Sequence, residues 1–179
     1  MEEMKLVNGC NFSDVKPAIV GLPYPPIQVK GKNTSYADLL AVDYCGQASE
    51  MTSIMQYINQ EGRMSMEKCA IAKIVLGIAM AEMIHLQKLG ELICLLGRTL
   101  DFSTKHSNGR QMMWSPSNVK VGGDVRNMIW ADIEGERVAI NQYRRHMNMI
   151  KDNYINEILA RIIKDEEYHI MLLKSLIEK

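Results

Sequence analysis

Four stretches of this chain carry apolar residues spaced alternately four and three apart, the repeat with which helices pack in a bundle, and an acid interrupts every one of them. The last stretch reads Ile155, Leu159, Ile162, Glu166, His169, Leu173, Leu176, and an earlier one reads Ile71, Val75, Ile78, Glu82, His85, Leu89, Leu92, Leu96. A third, Ile129, Ile133, Glu136, Ile140, Tyr143, Met147, Ile150, holds one Glu. The least regular, Tyr36, Leu40, Asp43, Gln47, Glu50, Ile54, Tyr57, carries Glu50. Any fold that buries these stripes together buries four glutamates and two histidines with them, so it must also supply partners for their charge.

The spacing limits what those partners are. Residues three apart on a helix share a face, with β-carbons about 5 to 6 Å apart, so Glu82 with His85, and Glu166 with His169, each reach one point in a core. Unpaired, four ionised glutamates would cost several kcal/mol each in an apolar interior, and no Lys or Arg stands on any of the stripes. Two divalent cations would neutralise the carboxylates and leave both histidines neutral, as ligation requires. A mixed carboxylate and imidazole set suits iron or manganese better than magnesium or a purely soft metal. The cofactor expected is therefore two Fe or two Mn ions.

Punctuation along the chain gives the layout. Residues 1–34 include LPYPPIQVKGKNTS, whose prolines and glycines preclude a helix, and are expected to form an extended arm. Residues 35–179 are expected to form the bundle. Its first helix opens at Thr34 or Ser35 and runs to about Gln60, where EGRMS breaks it. Ser65 then caps a second helix over roughly 66–96. The connection over 97–123 is too long for a simple turn; a third helix follows to Lys151, and a fourth runs to the end. Short, long and short connections predict an all-α four-helix bundle, two antiparallel hairpins joined by one crossover. The second helix is apolar enough to suggest a membrane span, but Lys73, Glu82, His85, Lys88 and Glu91 interrupt it, so a helix buried within the bundle is expected.

Within the bundle the halves repeat. EMTSIMQY at 50–57 and ERVAINQY at 136–143 share Glu, Ile, Gln and Tyr, while EMIHLQKL at 82 and EEYHIMLL at 166 share Glu-x-x-His. Tyr57 and Tyr143 lie about 10 Å along the helix from their glutamates, too far to ligate the same metals. Each either hydrogen-bonds a ligand from a neighbouring helix or packs as a plain aromatic. Gln56 and Gln142 lie off the stripe, their repetition a trace of common descent. Glu134, Asp165 and Glu167 are expected in solvent, His106 and His146 at the surface, and Trp114 as an apolar plug or a gate where the crossover passes.

Composition excludes other classes. Lys plus Arg and Asp plus Glu are 21 each, so no charge excess recruits nucleic acid or anionic lipid. The cysteines at 10, 45, 69 and 94 form no CxxC. Cys69 and Cys94 are expected to pack in the core, as are the 14 methionines. The opening MEEMKLVNGC lacks the apolar run of a secretory leader, so the expected location is the cytoplasm.

SEMTSIMQY, AEMIHLQKLGELI, ERVAINQY and DEEYHI, within about 36–178, resemble the ferritin-like dimetal-carboxylate superfamily, most of all its rubrerythrin and bacterioferritin branch. The resemblance implies Glu50 and Glu136 as terminal carboxylates, Glu82 and Glu166 as bridges, and one metal each for His85 and His169. No rubredoxin-like cysteine pairs follow, and Ile133 stands where a rubrerythrin has a further carboxylate. The YPP arm, long crossover and Trp114 are similar to manganese catalases, and that similarity implies a proton-transfer role for Glu166. The function implied is an oxidoreductase acting on peroxide or dioxygen, of peroxidase, catalase or ferroxidase type, working as a homo-oligomer and, for a peroxidase, with an external electron donor. The alternative is an iron-storage subunit.

Overall fold

In the computed structural model residues 9–105 and 109–178 are described; His106 lies outside them. Residues 9–33 run as an extended arm without helix or strand. Asn33 then caps α1 (Thr34–Cys45), its side chain accepting from Tyr36 N at 3.1 Å.

The first expected helix is two helices. Gly46 N–H closes α1 on Val42 O, and the chain restarts as α2 (Glu50–Met64). A β-carbon on Gly46 would stand 2.5 Å from Val42 O, so the break needs glycine. Ser49 caps α2 by accepting from Thr52 N, and its hydroxyl donates to Gly46 O at 2.7 Å. Gln47 of the expected stripe is consequently exposed. Ser65 ends α2, donating its N–H to Glu61 O, and does not open the next helix; α3 spans Cys69–Leu95.

The connection after α3 holds a small antiparallel hairpin, β1 (Ser103–Lys105) against β2 (Gln111–Met113) with Ser103 opposite Met113, followed by a 3-10 turn at Pro116–Asn118. Asp124 and Asp152 then cap α4 (Val125–Met149) and α5 (Asn153–Ile177). α2 packs chiefly on α3 and α4 on α5, and α3 meets α5 across the bundle, which gives the two hairpins and crossover expected.

Two apolar clusters divide the interior. One joins Leu40, Leu89, Leu92, Ile140, Ile155, Leu159 and Ile162, with Trp114 against it; the other joins Val75, Ile78, Ile129, Ile133 and Leu173. Each fully buried Ile or Leu contributes about 1.5 to 3 kcal/mol. Along α3 and α5 the acids and histidines fall between these clusters, so each is held by a rigid apolar turn on either side. α3 is long and apolar enough to cross a membrane, but Val75, Ile78, Glu82, His85 and Leu89 are all turned into the bundle.

Candidate metal centre

Glu82 and His85 come from the middle of α3, Glu166 and His169 from the middle of α5, Glu136 from α4 and Glu50 from the first turn of α2. Restarting the helix at Ser49 puts the Glu50 carboxylate at the positive end of α2. All six residues are at most 3% exposed. Ligand atoms of Glu50, Glu82, His85 and Glu166 lie within 4.8 Å of one another, as do those of Glu82, Glu136, Glu166 and His169. The two sets share Glu82 and Glu166.

His85 Nδ1 stands 2.9 Å from Glu82, 3.3 Å from Glu166 and 3.6 Å from Glu50. His169 Nδ1 mirrors it, 2.9 Å from Glu166 and 3.5 Å from both Glu82 and Glu136. The Nε2 atoms point away, to Asp165 Oδ2 at 3.2 Å from His85 and to Ala18 O at 2.9 Å from His169. A carbonyl only accepts, so neutral His169 carries its proton on Nε2 and turns the Nδ1 lone pair to the cluster.

Each tyrosine of the repeat reaches the other half. Tyr57 O–H donates to Glu136 and Tyr143 O–H to Glu50, which resolves the open alternative in favour of a contact to a cluster carboxylate. Gln56 Nε2 donates to Asp132 at 2.7 Å and Gln142 Nε2 to Asp43 at 2.8 Å, both acids buried. The repeated glutamines therefore have a structural role beyond common descent, and their recurrence was its signal in the sequence.

Without ions the cluster is held by shared protons. Burial, then the charges of Glu82 and Glu166, raise the Glu50 carboxyl well above its usual range; burial, then Glu166 and Glu82, do the same for Glu136. Burial also opposes charge on Glu82, but hydrogen bonds from Glu50, His169 and His85 overcome it and keep Glu82 ionised. For His85 and His169 burial opposes the charged ring and the surrounding carboxylates prevail, so both hold protons more tightly than usual. Two buried atoms of the cluster, Glu166 Oε2 and His169 Nδ1, face each other at 2.9 Å as an ion pair without the alignment of a good hydrogen bond. Four carboxylates in a dry site, and imidazoles anchored at the far nitrogen, are what a pair of divalent cations requires.

Two expected surface groups, Asp165 and His146, are interior. Asp165 is fully buried, accepting from Val20 N at 2.7 Å and Tyr24 O–H at 2.5 Å and pairing with Arg161 at 2.7 Å. Arg161 in turn donates to Val20 O and Leu22 O. The arm lies over this face of α5 and excludes water, and nothing periodic in the arm announces that. His146 is buried against Asp43 at 2.7 Å, apart from the six-residue cluster. Cys69 is bonded to Cys10 and Cys94 is exposed, so neither is a plain core thiol; Cys45 is the buried free one. Glu134 and Glu167 are exposed as expected, on Arg137 and Arg144. Trp114 packs on the core and donates Nε1–H to Thr52 Oγ1 at 2.9 Å. Between α2 and α4 a cleft of about 420 Å³, lined in part by Ser49, Gln56, Asp132 and Gly135, reaches Tyr57 and Glu136.

The Ferritin-like domain family matches residues 46–179. A probable manganese catalase of Clostridium acetobutylicum is 23% identical over 172 residues, covering 86% of this chain and 75% of its own. A crystal structure of a manganese catalase from Anabaena superposes with a TM-score of 0.76 at 22% identity, over 88% of this chain and 78% of that one. A bacterioferritin of Mycobacterium tuberculosis superposes with a TM-score of 0.65 at 21% identity, over 83% and 87%.

Proposed function

The chain belongs to the ferritin-like family, and on that premise we propose that it is a dimetal-carboxylate oxidoreductase acting on peroxide or dioxygen, with peroxide disproportionation as its leading reaction. Glu50, Glu82, His85, Glu136, Glu166 and His169 hold two manganese or two iron ions in this reading. The observation that carries it is the sharing of Glu82 and Glu166 between two four-residue donor sets, which makes one cluster into two adjacent cation sites. The relative named a probable manganese catalase supports peroxide as the oxidant.

When bound, two adjacent ions of this kind supply a two-electron couple and polarise the oxidant. The chain's own residues do the rest. Tyr57 and Tyr143 hold the carboxylates of Glu136 and Glu50, one donor each. Asp165 and the Ala18 carbonyl hold Nε2 of His85 and His169, which aims both Nδ1 atoms inward. The arm keeps bulk water from the α5 side, leaving the cleft between α2 and α4 as the way in for a small oxidant. In the version where Glu166 does not bridge the ions, its carboxylate, beside His169 Nδ1 at 2.9 Å, is the acceptor for a proton leaving that oxidant. Because Glu50, Glu136 and both histidines hold protons in the ion-free protein, loading the site releases protons and weakens as pH falls.

Elemental analysis of the purified protein, coupled to oxygen release on adding peroxide, tests the reading. The expected result is near-stoichiometric manganese or iron in both sites with oxygen evolved without added reductant; absence of any transition metal overturns it. The second reading, iron storage, draws on the bacterioferritin likeness. A hollow assembly of many copies with slow peroxide turnover would favour it, whereas a dimer or small ring that consumes peroxide favours catalysis. A homo-oligomer belongs to either version, and the exposed Met83, Leu95, Leu100 and Phe102 support one.

A further inference from the structure

The Cys10–Cys69 bond joins the outer end of the arm to the first residue of α3. Both cysteines are partly exposed, and protein disulfides are rare in a reducing cytoplasm unless they are transient or redox-sensing. What the bond fastens gives it a use. From Cys10 the arm turns at Phe12, where Val15 N donates to Phe12 O at 3.1 Å, and then lies along α3. Ala18 N–H reaches Gly77 O at 2.8 Å, and Ala18 and Gly77 each stand eight residues beyond the cysteine of their own segment. Ala18 O is the acceptor that holds His169 Nε2. One residue, Ala18, thus connects the disulfide-bounded loop to a histidine of the metal centre. Among the described residues, and apart from the bond, the arm from Cys10 to Pro17 is held by an exposed Lys73–Asp14 pair and by Phe12 against the second apolar cluster. An exposed pair of this kind is screened by solvent and holds only weakly.

We propose that Cys10 and Cys69 form a reversible redox modification site, closed by peroxide and opened by a dithiol, that latches the arm over His169. In the reduced protein Cys69 attacks first, since its place in the first turn of a 27-residue helix puts its sulfur at the positive end of the helix dipole. Its sulfur displaces one oxygen of peroxide: an S–O bond forms, the O–O bond breaks, and water leaves with the thiol's proton. The Cys10 sulfur then attacks that sulfenic sulfur; the S–S bond forms, the S–O bond breaks, and a second water leaves. Two thiols lose two electrons and peroxide gains them. A dithiol reverses the closure by exchange through a mixed disulfide, leaving as its own cyclic disulfide. With the latch closed, the arm is tethered at both ends and loses less entropy on docking; with it open, residues 10–17 fray and Ala18 follows part of the time. Peroxide, the oxidant of the proposed function, thereby tightens the shell around the site that consumes it. The metal-retention part of this inference rests on that function; the arm part does not.

The test compares the full chain as purified, after dithiothreitol, after hydrogen peroxide, and as Cys10→Ser, with Cys94→Ser as the control for the exposed thiol. Mass spectrometry of alkylated protein is expected to show the Cys10–Cys69 bond lost with dithiothreitol and restored with stoichiometric peroxide, Cys94 staying free. Amide exchange at Ala18 and Val20 is expected to quicken about tenfold on reduction, and metal release to a chelator by a similar factor. Cys10→Ser is expected to sit at the fast values whatever the redox state, and Cys94→Ser to behave as the parent. Equal exchange at Ala18 in oxidised, reduced and Cys10→Ser protein overturns the latch, as does failure of peroxide to restore the bond. A protein that binds no metal, yet shows the exchange difference, instead overturns the proposed function and leaves the latch standing.

Discussion

Replacing Asp165 with Asn keeps its size and removes its charge, and the structure sets the size of the effect. The carboxylate is fully buried and serves Val20 N, Tyr24 O–H, His85 Nε2 and the Arg161 guanidinium at once. Arg161 is 4% exposed, so Asp165→Asn strands a buried cation, a change that typically costs about 3 to 5 kcal/mol. Its hydrogen bonds to Val20 O and Leu22 O and its place over the Tyr24 ring, 4.3 Å from the centroid, persist and offset part of that. We expect a net loss of about 3 kcal/mol, which for a chain of this length lowers Tm by about 6 to 12 °C. The amide also has one acceptor oxygen where the carboxylate has two. When its N–H2 turns toward His85, the ring proton moves to Nδ1 and the inward lone pair is lost, weakening metal binding about 10- to 100-fold. Thermal unfolding in the presence of chelator reads the first quantity, and competition with a metallochromic dye reads the second. A Tm within 2 °C of the parent together with a metal Kd within about twofold would refute the assignment of Asp165 as the hub between arm, α5 and His85.

Burial pushes the Asp132 carboxyl up to about 6 despite hydrogen bonds from Gln56 and Gln60. Because the folded value is raised, this group favours folding below about pH 4, and that contribution is lost as pH rises through about 6. Asp132→Asn should then stabilise by about 2 to 3 kcal/mol at pH 8 and give no gain at pH 4, as read by urea unfolding; the unpartnered Gln60 Oε1 is at hand for the new amide. Tyr57→Phe and Tyr143→Phe each strip a donor from a cluster carboxylate, so each should weaken metal binding about tenfold and cost the ion-free protein about 1 to 3 kcal/mol. Equal effects of the two would show that the repeated halves contribute alike, and no effect of either on metal affinity would show that the phenols only pack. A β-carbon on Gly77 would stand 3.0 Å from Lys16 O and 3.7 Å from Ala18 Cβ. Gly77→Ala should therefore lift the arm, cost about 1 to 3 kcal/mol and speed amide exchange at Ala18, while leaving the helical circular dichroism unchanged.

The six residues of the candidate centre were legible because helical geometry is local: alternate spacing of four and three fixes a face from sequence alone, and an acid on an otherwise aliphatic face has to be accounted for. Connection lengths likewise predicted two hairpins and a crossover. What escaped sequence reading was decided between segments far apart in the chain. Asp165, next to Glu166 in a run of three acids, looks solvated on its own helix; it is buried because an arm about 140 residues earlier lies across it and brings Tyr24 and the Val20 amide. His146 looks like a surface residue until α1 brings Asp43 against it. The break that places Glu50 in a first turn follows from Gly46 and Ser49, a stop and a cap that sit inside a stripe which otherwise reads straight through. The Cys10–Cys69 bond depends on the path of a segment with no periodicity at all. Sequence determined which residues face inward on each helix, because that depends on neighbours three and four apart. Tertiary structure alone decided which polar groups beside those faces are sealed from water, because an extended arm carries no pattern that says where it will lie.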